Sequence, residues 1–480
     1  MNYDLIVIGL SLILTIAIIF LSMVLLPITI VFILSIIYFR YKFTKNKDKS
    51  TINVAFFHPY CTAGGGGERV LWCAIRSLQN EYPGIKISVY TGDQKEDSEI
   101  FAMIKKTFNL MLDEKNCHFI RLKKRGLVEA SRWPRFTLIG QSLGSMVLAW
   151  EALNLLNPDL FIDSMGYAFT YPIFKIFGGS HIAAYIHYPT ISTDMLSKVS
   201  NSTESYNNNE SISKSKFKTS AKLIYYKLFS KLYYLAGKFS NIVMCNGTWT
   251  ANHIRNIWKI DRVSIVYPPV DVESRKAMPL NWMQRENIIL SIAQFRPEKD
   301  HPLQLYTLAQ LLQKYPIHKN ELRTKLVMVG SCRDQQDRDR VESLRKLSIE
   351  LGIESNVEFK IGIPIQELNR LLEISSVGIH TMWCEHFGIG VVELAAAGVI
   401  PVAHNSAGPK EDIVKHDQTG FLASTKEEYA EYIHEILAFR EKYKDMQQKA
   451  RESVDRFSQE NFENHFKNSF SIFFDNKKNQ

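Results

Sequence analysis

Beyond residue 50, short runs of apolar and β-branched residues alternate with longer stretches in which apolar positions recur every three or four residues. The short runs "INVAFF", "KISVYTG", "CHFIRL", "DLFIDSM", "HIAAYIHY", "NIVMCNG" and "VSIVY" read as strands with helices between them. "PPVDVESRKAMPLNWMQREN" then breaks the rhythm with prolines and charges and is expected to be a linker. A second series follows, "IILSIAQF", "KLVMVGS", "VEFKIGI", "VGIHTM", "IPVAHN" and "GFLA", again alternating with helical stretches. Near-continuous apolar strands joined by helices predict parallel sheets covered on both faces. The expected fold class is therefore α/β, with two Rossmann-like doubly wound domains and ligands at the carboxyl ends of the strands. A chain of 480 residues is also too long for one ordinary core. The expected boundaries are 51–270 for the first domain, 285–455 for the second and 456–480 for a helical tail.

The first 40 residues follow neither rhythm. From Leu5 to Phe39 there is no charged residue, enough for a helix of roughly 50 Å against a hydrocarbon core of about 30 Å. Pro27 is expected to kink or end the first span. The run is longer than the apolar part of a signal peptide and lacks a basic start. "RYKFTKNKDK" follows it, so the positive-inside rule places the rest of the chain in the cytosol, behind a membrane anchor over 1–40.

Composition sharpens this picture. The net charge of +9 suits anionic ligands or an anionic surface. Cys61, Cys73, Cys117, Cys245, Cys332 and Cys384 form no C-x-x-C pair, as expected of reduced, mostly buried thiols. "KFKTSAKLIYYKLFSKLYYLAGKF" and "RLKKRGLVEASRWPRF", the latter with Trp133, mix basic and aromatic residues. They suit a bilayer surface, although an ordinary helix with a solvated lysine face has the same pattern. The polar run "SKVSNSTESYNNNESISKSK" is expected to be a mobile loop. Cytosolic placement leaves the sequons at Asn201, Asn209 and Asn246 unglycosylated.

Chemistry enters with "CTAGGGGERVLW", where four glycines stand between a strand and a helix. A dinucleotide fingerprint would need glycine at 64, 66 and 69, but position 69 is Arg, and no G-K-[ST] follows. A tight turn needs one or two glycines, so four point to close approach by a ligand. In the second half, "HTMWCEHFGIGVVELAAAG" sets Glu385 just after a strand and Glu393 eight residues on, little more than two turns along a helix starting near Phe387. Backbone N–H groups around Gly388, Ile389 and Gly390 are expected to face a phosphate. The carboxylates would repel one and so suit sugar hydroxyls instead. "FRPEKD" adds Arg296 and Lys299 at another strand end, where two cations neutralise a pyrophosphate.

The E-x7-E at Glu385 and Glu393, the R-x-x-K at Arg296 and Lys299 and two Rossmann-like halves resemble the retaining GT-B nucleotide-sugar glycosyltransferases. "PYCTAGGGGERVLW", "FIDSMGYAFTYP", "YIHYPTIS", "SIAQFRPEKDHPLQL", "EHFGIGVVELAAAGVIPVAHNSAGPKEDIV" and the anchor narrow the resemblance to the GDP-mannose-dependent α-1,2-mannosyltransferases of the dolichol-linked oligosaccharide. It covers Asn53 to about Gly420. The Asn/Ser-rich insert departs from the pattern without interrupting a motif.

The resemblance implies that Glu393 holds the ribose, Glu385 faces the transferred sugar, and Arg296 and Lys299 hold the pyrophosphate and stabilise the leaving GDP. Gly65 and Gly66 would let the first domain close on the donor phosphates, and Gly388 and Ile389 would bind them from the second. His187 would face the cleft beside the mannose, although a lone strand-end histidine is more often structural. Asp163 is a weaker candidate, because a strand-end aspartate is commonly a helix N-cap. The implied partners are GDP-mannose, a dolichol-pyrophosphate-linked oligosaccharide and the endoplasmic reticulum membrane, with the catalytic domains on its cytosolic face. The resemblance admits a complex with other mannosyltransferases of the pathway and implies no nucleic acid and no cofactor.

No carboxylate stands out as a nucleophile, so retention is expected through same-face attack. The lone D-x-D, Asp337-Arg338-Asp339, is expected to be a solvated helix start and not a metal site. A sibling enzyme with another nucleotide sugar or lipid acceptor and an inactive membrane scaffold remain alternatives. A nicotinamide dehydrogenase is disfavoured by the failed glycine fingerprint.

Overall fold

Every strand expected from the alternation forms, and all of them pair in parallel. In a computed structural model describing residues 3–45, 47, 51–191 and 216–478, the first sheet contains β1 (Asn53–Phe57), β2 (Lys86–Thr91), β3 (Cys117–Arg121), β4 (Leu160–Asp163), β5 (His181–Ile186), β6 (Ile242–Cys245) and β7 (Ser264–Ile265). Their spatial order is β3-β2-β1-β4-β5-β6-β7. The second contains β8 (Glu286–Ile292), β9 (Lys325–Gly330), β10 (Val357–Ile361), β11 (Ser375–His380), β12 (Ile400–His404) and β13 (Phe421–Ala423), in the order β10-β9-β8-β11-β12-β13. Each sheet thus reverses its winding direction once, between β1 and β4 and between β8 and β11. Such reversals open crevices at the carboxyl ends of the strands.

Helix α1 (Tyr3–Thr44) precedes the first sheet, and α2 (Gly66–Glu81), α3 (Asp97–Phe108), α4 (Thr137–Leu155), α5 (Lys216–Gly237) and α6 (Thr248–Trp258) accompany it. The second sheet carries α7 (Val272–Lys276), α8 (His301–Lys314), α9 (Ile317–Asn320), α10 (Gln335–Glu350), α11 (Ile365–Ile374), α12 (Ile389–Ala396), α13 (Lys426–Ala438) and α14 (Lys444–Ser453). α15 (Gln459–Asn468) and α16 (Ser471–Lys478) then return to the first sheet. There Phe462, Phe466, Phe470, Phe473 and Phe474 join Phe56, Leu71 and Ile75 in one core. Each buried phenylalanine contributes about 1.5–3 kcal/mol, so the end of the chain holds the two halves together.

Three local expectations need correction. Pro27 does not end the first helix, which runs from Tyr3 to Thr44 with the proline inside it; its Leu25–Thr44 portion is apolar and long enough to cross a membrane. The "linker" is packed, with α7 inside it and Val270, Val272, Met278 and Trp282 buried. Asp337 is not solvated: it is buried, and its carboxylate accepts from Arg333 Nε at 3.0 Å at the start of α10.

The lower end of α1 is fastened to the first domain. Phe39 meets Trp150 of α4 edge to face at 4.9 Å, and Phe43 meets the same ring at 5.9 Å. Lys47 pairs with Asp159 at 3.1 Å. All six cysteines are free thiols, and Cys61, Cys73, Cys117 and Cys245 are buried. Asn246 is buried as well, which leaves no room for a glycan. The polar insert with Asn201 and Asn209 lies outside the described residues, apart from its last residue, Lys216.

Candidate functional site

The four glycines sit at the β1/β4 reversal. Gly64 has φ +79°, a conformation costly for any residue with a Cβ. Gly65 caps α2, and its amide donates to Glu68 Oε2 at 2.6 Å. Glu68 Oε1 lies 3.4 Å from His58 Nε2, and His58 Nδ1 is 2.9 Å from Ser164 Oγ at the end of β4. His187, just after β5, places Nε2 3.1 Å from the Ser164 carbonyl oxygen. That contact makes Nε2 the donor and leaves Nδ1 of the neutral ring as an acceptor. Burial pushes the His187 pKa down to about 4. Burial alone would raise the Glu68 pKa, but the hydrogen bond from His58 and its charge bring it below the ordinary value. A buried strut of His58, Ser164 and Glu68 therefore fixes both the glycine turn and His187.

The close approach required by the glycines comes from the second domain. A Cβ on Gly66 would lie 2.8 Å from Ile389 Cδ1 at the start of α12, and one on Gly67 would lie 3.9 Å from His187 Nε2. The two carboxyl edges thus face each other across a narrow cleft. Gly65, expected to let the first domain close on the donor phosphates, gives its amide to Glu68 in this conformation.

On the opposite wall, the turn Pro297–Lys299 follows β8 and carries Lys299 to Glu385, which lies beyond β11. Lys299 Nζ bonds Glu385 Oε2, and the same oxygen is 3.2 Å from His380 Nε2 at the end of β11. Burial would raise the Glu385 pKa, but the His380 hydrogen bond and the Lys299 charge hold it well below the usual carboxylate range. Arg296 is less committed, with NH1 3.8 Å from Glu298 and Nε without a partner. Gly388 precedes α12 with φ +111°, which again demands glycine. The helix starts at Ile389, two residues later than expected. Glu393 lies on its second turn, 3.4 Å from Arg275 NH2 of α7, and 23% of its side chain remains exposed.

Asp163 proves to be a turn residue. It is fully buried, accepts from Tyr171 OH at 2.7 Å and from the amides of Met165 and Gly166, and burial pushes its pKa up to about 6. Among the described residues, no group of three or more His, Cys, Asp or Glu is arranged to hold a metal ion.

Sequence reasoning missed His58, Glu68, Ser164, Arg275 and His380. It also missed the contacts that set the cleft width. Asp412 accepts from the Thr248 amide at 2.8 Å and from Tyr267 OH at 2.9 Å, across the domain boundary. The His386 ring lies 5.1 Å from Tyr188 in a stacked arrangement and 5.4 Å from Trp249. Strand-end positions could have flagged His58, Ser164 and His380. Nothing local marks Arg275 or Asp412.

The chain matches two family models: ALG11 mannosyltransferase N-terminus over residues 51–258 and glycosyl transferases group 1 over residues 274–453. The Dictyostelium discoideum protein named GDP-Man:Man(3)GlcNAc(2)-PP-Dol alpha-1,2-mannosyltransferase is 66% identical over 433 residues, 89% of this chain and 86% of that protein. The Homo sapiens protein of the same name is 50% identical over 439 residues, covering 90% and 89%. Among solved structures, Anabaena Alr3699/HepE in complex with UDP superposes with a TM-score of 0.61 at 14% identity, covering 88% of this chain and 100% of that one. Sucrose-phosphate synthase from Thermosynechococcus elongatus gives 0.59 at 16%, covering 88% and 99%. These structures share the GT-B fold of two facing Rossmann-like domains. The chain is a glycosyltransferase and belongs to the family of GDP-Man:Man(3)GlcNAc(2)-PP-Dol alpha-1,2-mannosyltransferases.

Proposed function

We propose that this protein transfers mannose with retention from GDP-mannose to the trimannosyl-chitobiosyl-pyrophosphoryl-dolichol intermediate, adding its fourth and fifth mannoses in α-1,2 linkage. The observation that carries the site assignment is the Lys299–Glu385–His380 cluster at the β8/β11 reversal, with Glu393 about one turn into the adjoining helix and the glycine turn opposite. Glu393 accepts from the ribose hydroxyls. Arg296, Lys299 and the first amides of α12 meet the pyrophosphate. Glu385 and His187 border the mannose.

Charge grows on the β-phosphate as the bond between its oxygen and mannose C1 breaks, and Arg296 and Lys299 stabilise it. The acceptor hydroxyl oxygen forms the new bond to C1 on the same face, and its proton passes to the departing phosphate oxygen. The described carboxylates of the cleft are all engaged, which disfavours a carboxylate nucleophile. Glu385 is held by Lys299 and His380, Glu393 by Arg275, Glu68 by Gly65 and Asp163 by its own turn.

The membrane reading gains support from the surface beside α1. α5 buries Tyr226, Phe229 and Tyr233 yet exposes Ile224, Leu228, Leu232 and Leu235 in a stripe on its other side. α4 exposes Leu143 and Val147 along a row ending at Trp150, which touches α1. Phe136, 70% exposed, links the stripes through Tyr225 at 5.6 Å. Trp133 of the neighbouring basic segment is half-buried, and its indole donates to Leu127 O at 2.8 Å. We assign this surface to the cytosolic leaflet of the endoplasmic reticulum, with α1 as the anchor. The test of the donor is transfer in the presence of competing nucleotides. GDP should inhibit far more strongly than UDP; equal inhibition would refute the GDP-mannose assignment.

A further inference from the structure

Arg275 lies in the segment that the sequence presents as a linker, yet only 6% of its side chain is exposed. Its guanidinium bonds Asn369 Oδ1 of α11 through NH1 and approaches Glu393 Oε1 at 3.4 Å through NH2, while Nε has no partner. An arginine this deeply buried is costly unless its charge is used. The opposing charge is Glu393, whose side chain keeps some exposure.

We propose that Arg275 is a positioning residue for the donor, holding Glu393 as a fixed, charged acceptor for the two ribose hydroxyls. The inference rests on the reading of Glu393 as the ribose residue. Two hydroxyl donors require both carboxylate oxygens as acceptors, and a protonated carboxyl group offers fewer lone pairs and one unwanted donor. Burial raises the Glu393 pKa, and Arg275 is the largest influence opposing that rise. The other charged groups acting on it are Arg69 of α2 and Asp271, which caps α7. Of the other elements packed against α12, the 409–413 turn carries Lys410, Glu411 and Asp412, α14 carries the buried Arg451 and β11 ends at His380; none of them is among the leading influences on Glu393. Without Arg275, the Asp271 charge adds to burial, and only Arg69, which is also bonded to Gln459 at 3.1 Å, opposes them. Asn369 keeps the guanidinium from swinging away from Glu393.

The test compares Arg275→Met, Arg275→Lys and Glu393→Gln in the full-length protein, by steady-state kinetics from pH 6 to 8.5 and by inhibition with GDP and 2′-deoxy-GDP. Arg275→Met should raise KM for GDP-mannose about tenfold at pH 6.5 with little change in kcat, and the rise should shrink towards pH 8.5. Arg275→Lys, which keeps the charge but not the fork, should recover part of the loss. Glu393→Gln should raise KM equally at every pH and lose the preference for GDP over 2′-deoxy-GDP. The double variant Arg275→Met/Glu393→Gln should then be no worse than Glu393→Gln. If Glu393→Gln leaves KM and that preference intact, the ribose reading itself fails. If Glu393→Gln behaves as stated but Arg275→Met changes KM at no pH, or by the same factor at all of them, Arg275 merely props the segment and the inference is overturned. Should Arg275→Met fail to fold, Asn369→Ala serves instead: it releases the guanidinium and should show the same pH-dependent KM, and its absence would overturn the inference.

Discussion

Replacing Lys299 by alanine removes one of the two partners of Glu385 Oε2 and leaves a largely buried carboxylate with His380 alone. Two effects should separate. The first is on stability: stranding one member of a buried pair costs about 3–5 kcal/mol, and His380 at 3.2 Å should reduce this towards the lower end. The second is on the reaction: a cation beside a developing phosphate charge is worth about 2–4 kcal/mol, or roughly 30- to 1,000-fold in kcat. The double variant Lys299→Ala/Glu385→Gln removes the stranded charge together with its partner. Thermal denaturation should therefore show most of the lost stability restored, while kcat stays low. Steady-state kinetics with GDP-mannose, alongside circular dichroism, measures both. If Lys299→Ala keeps its kcat, or if the double variant recovers it, Lys299 serves only to neutralise Glu385 and the leaving-group role is refuted.

Gly66→Ala sits at the first helical position of α2, where alanine has less backbone freedom to lose on folding than glycine. Because the new methyl meets only the flexible tip of Ile389, the melting temperature should hold or rise while kcat/KM for GDP-mannose falls; unchanged kinetics would show that the cleft width there is irrelevant. His187, with its pKa near 4, is neutral in the folded protein throughout the physiological range. The unfolded chain takes up that proton below about pH 6.5, so the His187 contribution to stability should decline from there towards pH 4. His187→Asn should accordingly lose activity without changing the shape of the rate profile above pH 6, and a missing titration step there would reverse the assignment. Protease added to sealed microsomes should digest the chain beyond Arg40, and protection of that region would place it on the luminal side.

Much of this architecture is legible because the relevant physics is local. A strand buried on both faces must be apolar throughout, which is why "KLVMVG" and "HIAAYI" stand out and why all thirteen strands are found where the pattern places them. The glycine run and the E-x7-E spacing are likewise local, since each depends on one turn or one helix. What stays hidden depends on distance along the chain. His58, Glu68 and Ser164 meet only after the β1/β4 crossover has formed, 106 positions separating the two ends of the His58–Ser164 contact. Arg275 lies among prolines and charges that resemble a solvated linker, and only Glu393, 118 positions away, gives it a purpose. The helical tail over 456–480 is expected from the sequence, but not its return onto the first sheet through Phe462, Phe466, Phe470 and Phe473, because nothing local names the surface they cover. Pro27 stays inside α1 because it removes only one i→i−4 hydrogen bond, the one to the Met23 carbonyl, and a single proline is tolerated in a long apolar helix.

This cleft builds two α-1,2-linked mannoses onto a lipid-linked trimannosyl core. The direct measurement is to incubate the purified full-length protein in dolichol-containing liposomes with labelled GDP-mannose and the trimannosyl-chitobiosyl-pyrophosphoryl-dolichol acceptor, then release and weigh the glycan. The expected product is heavier by two hexoses, both removed by an α-1,2-specific mannosidase, and far less of it should form with Glu385→Gln/Lys299→Ala. A single addition, a product resistant to that mannosidase or transfer from a UDP-sugar would contradict this activity.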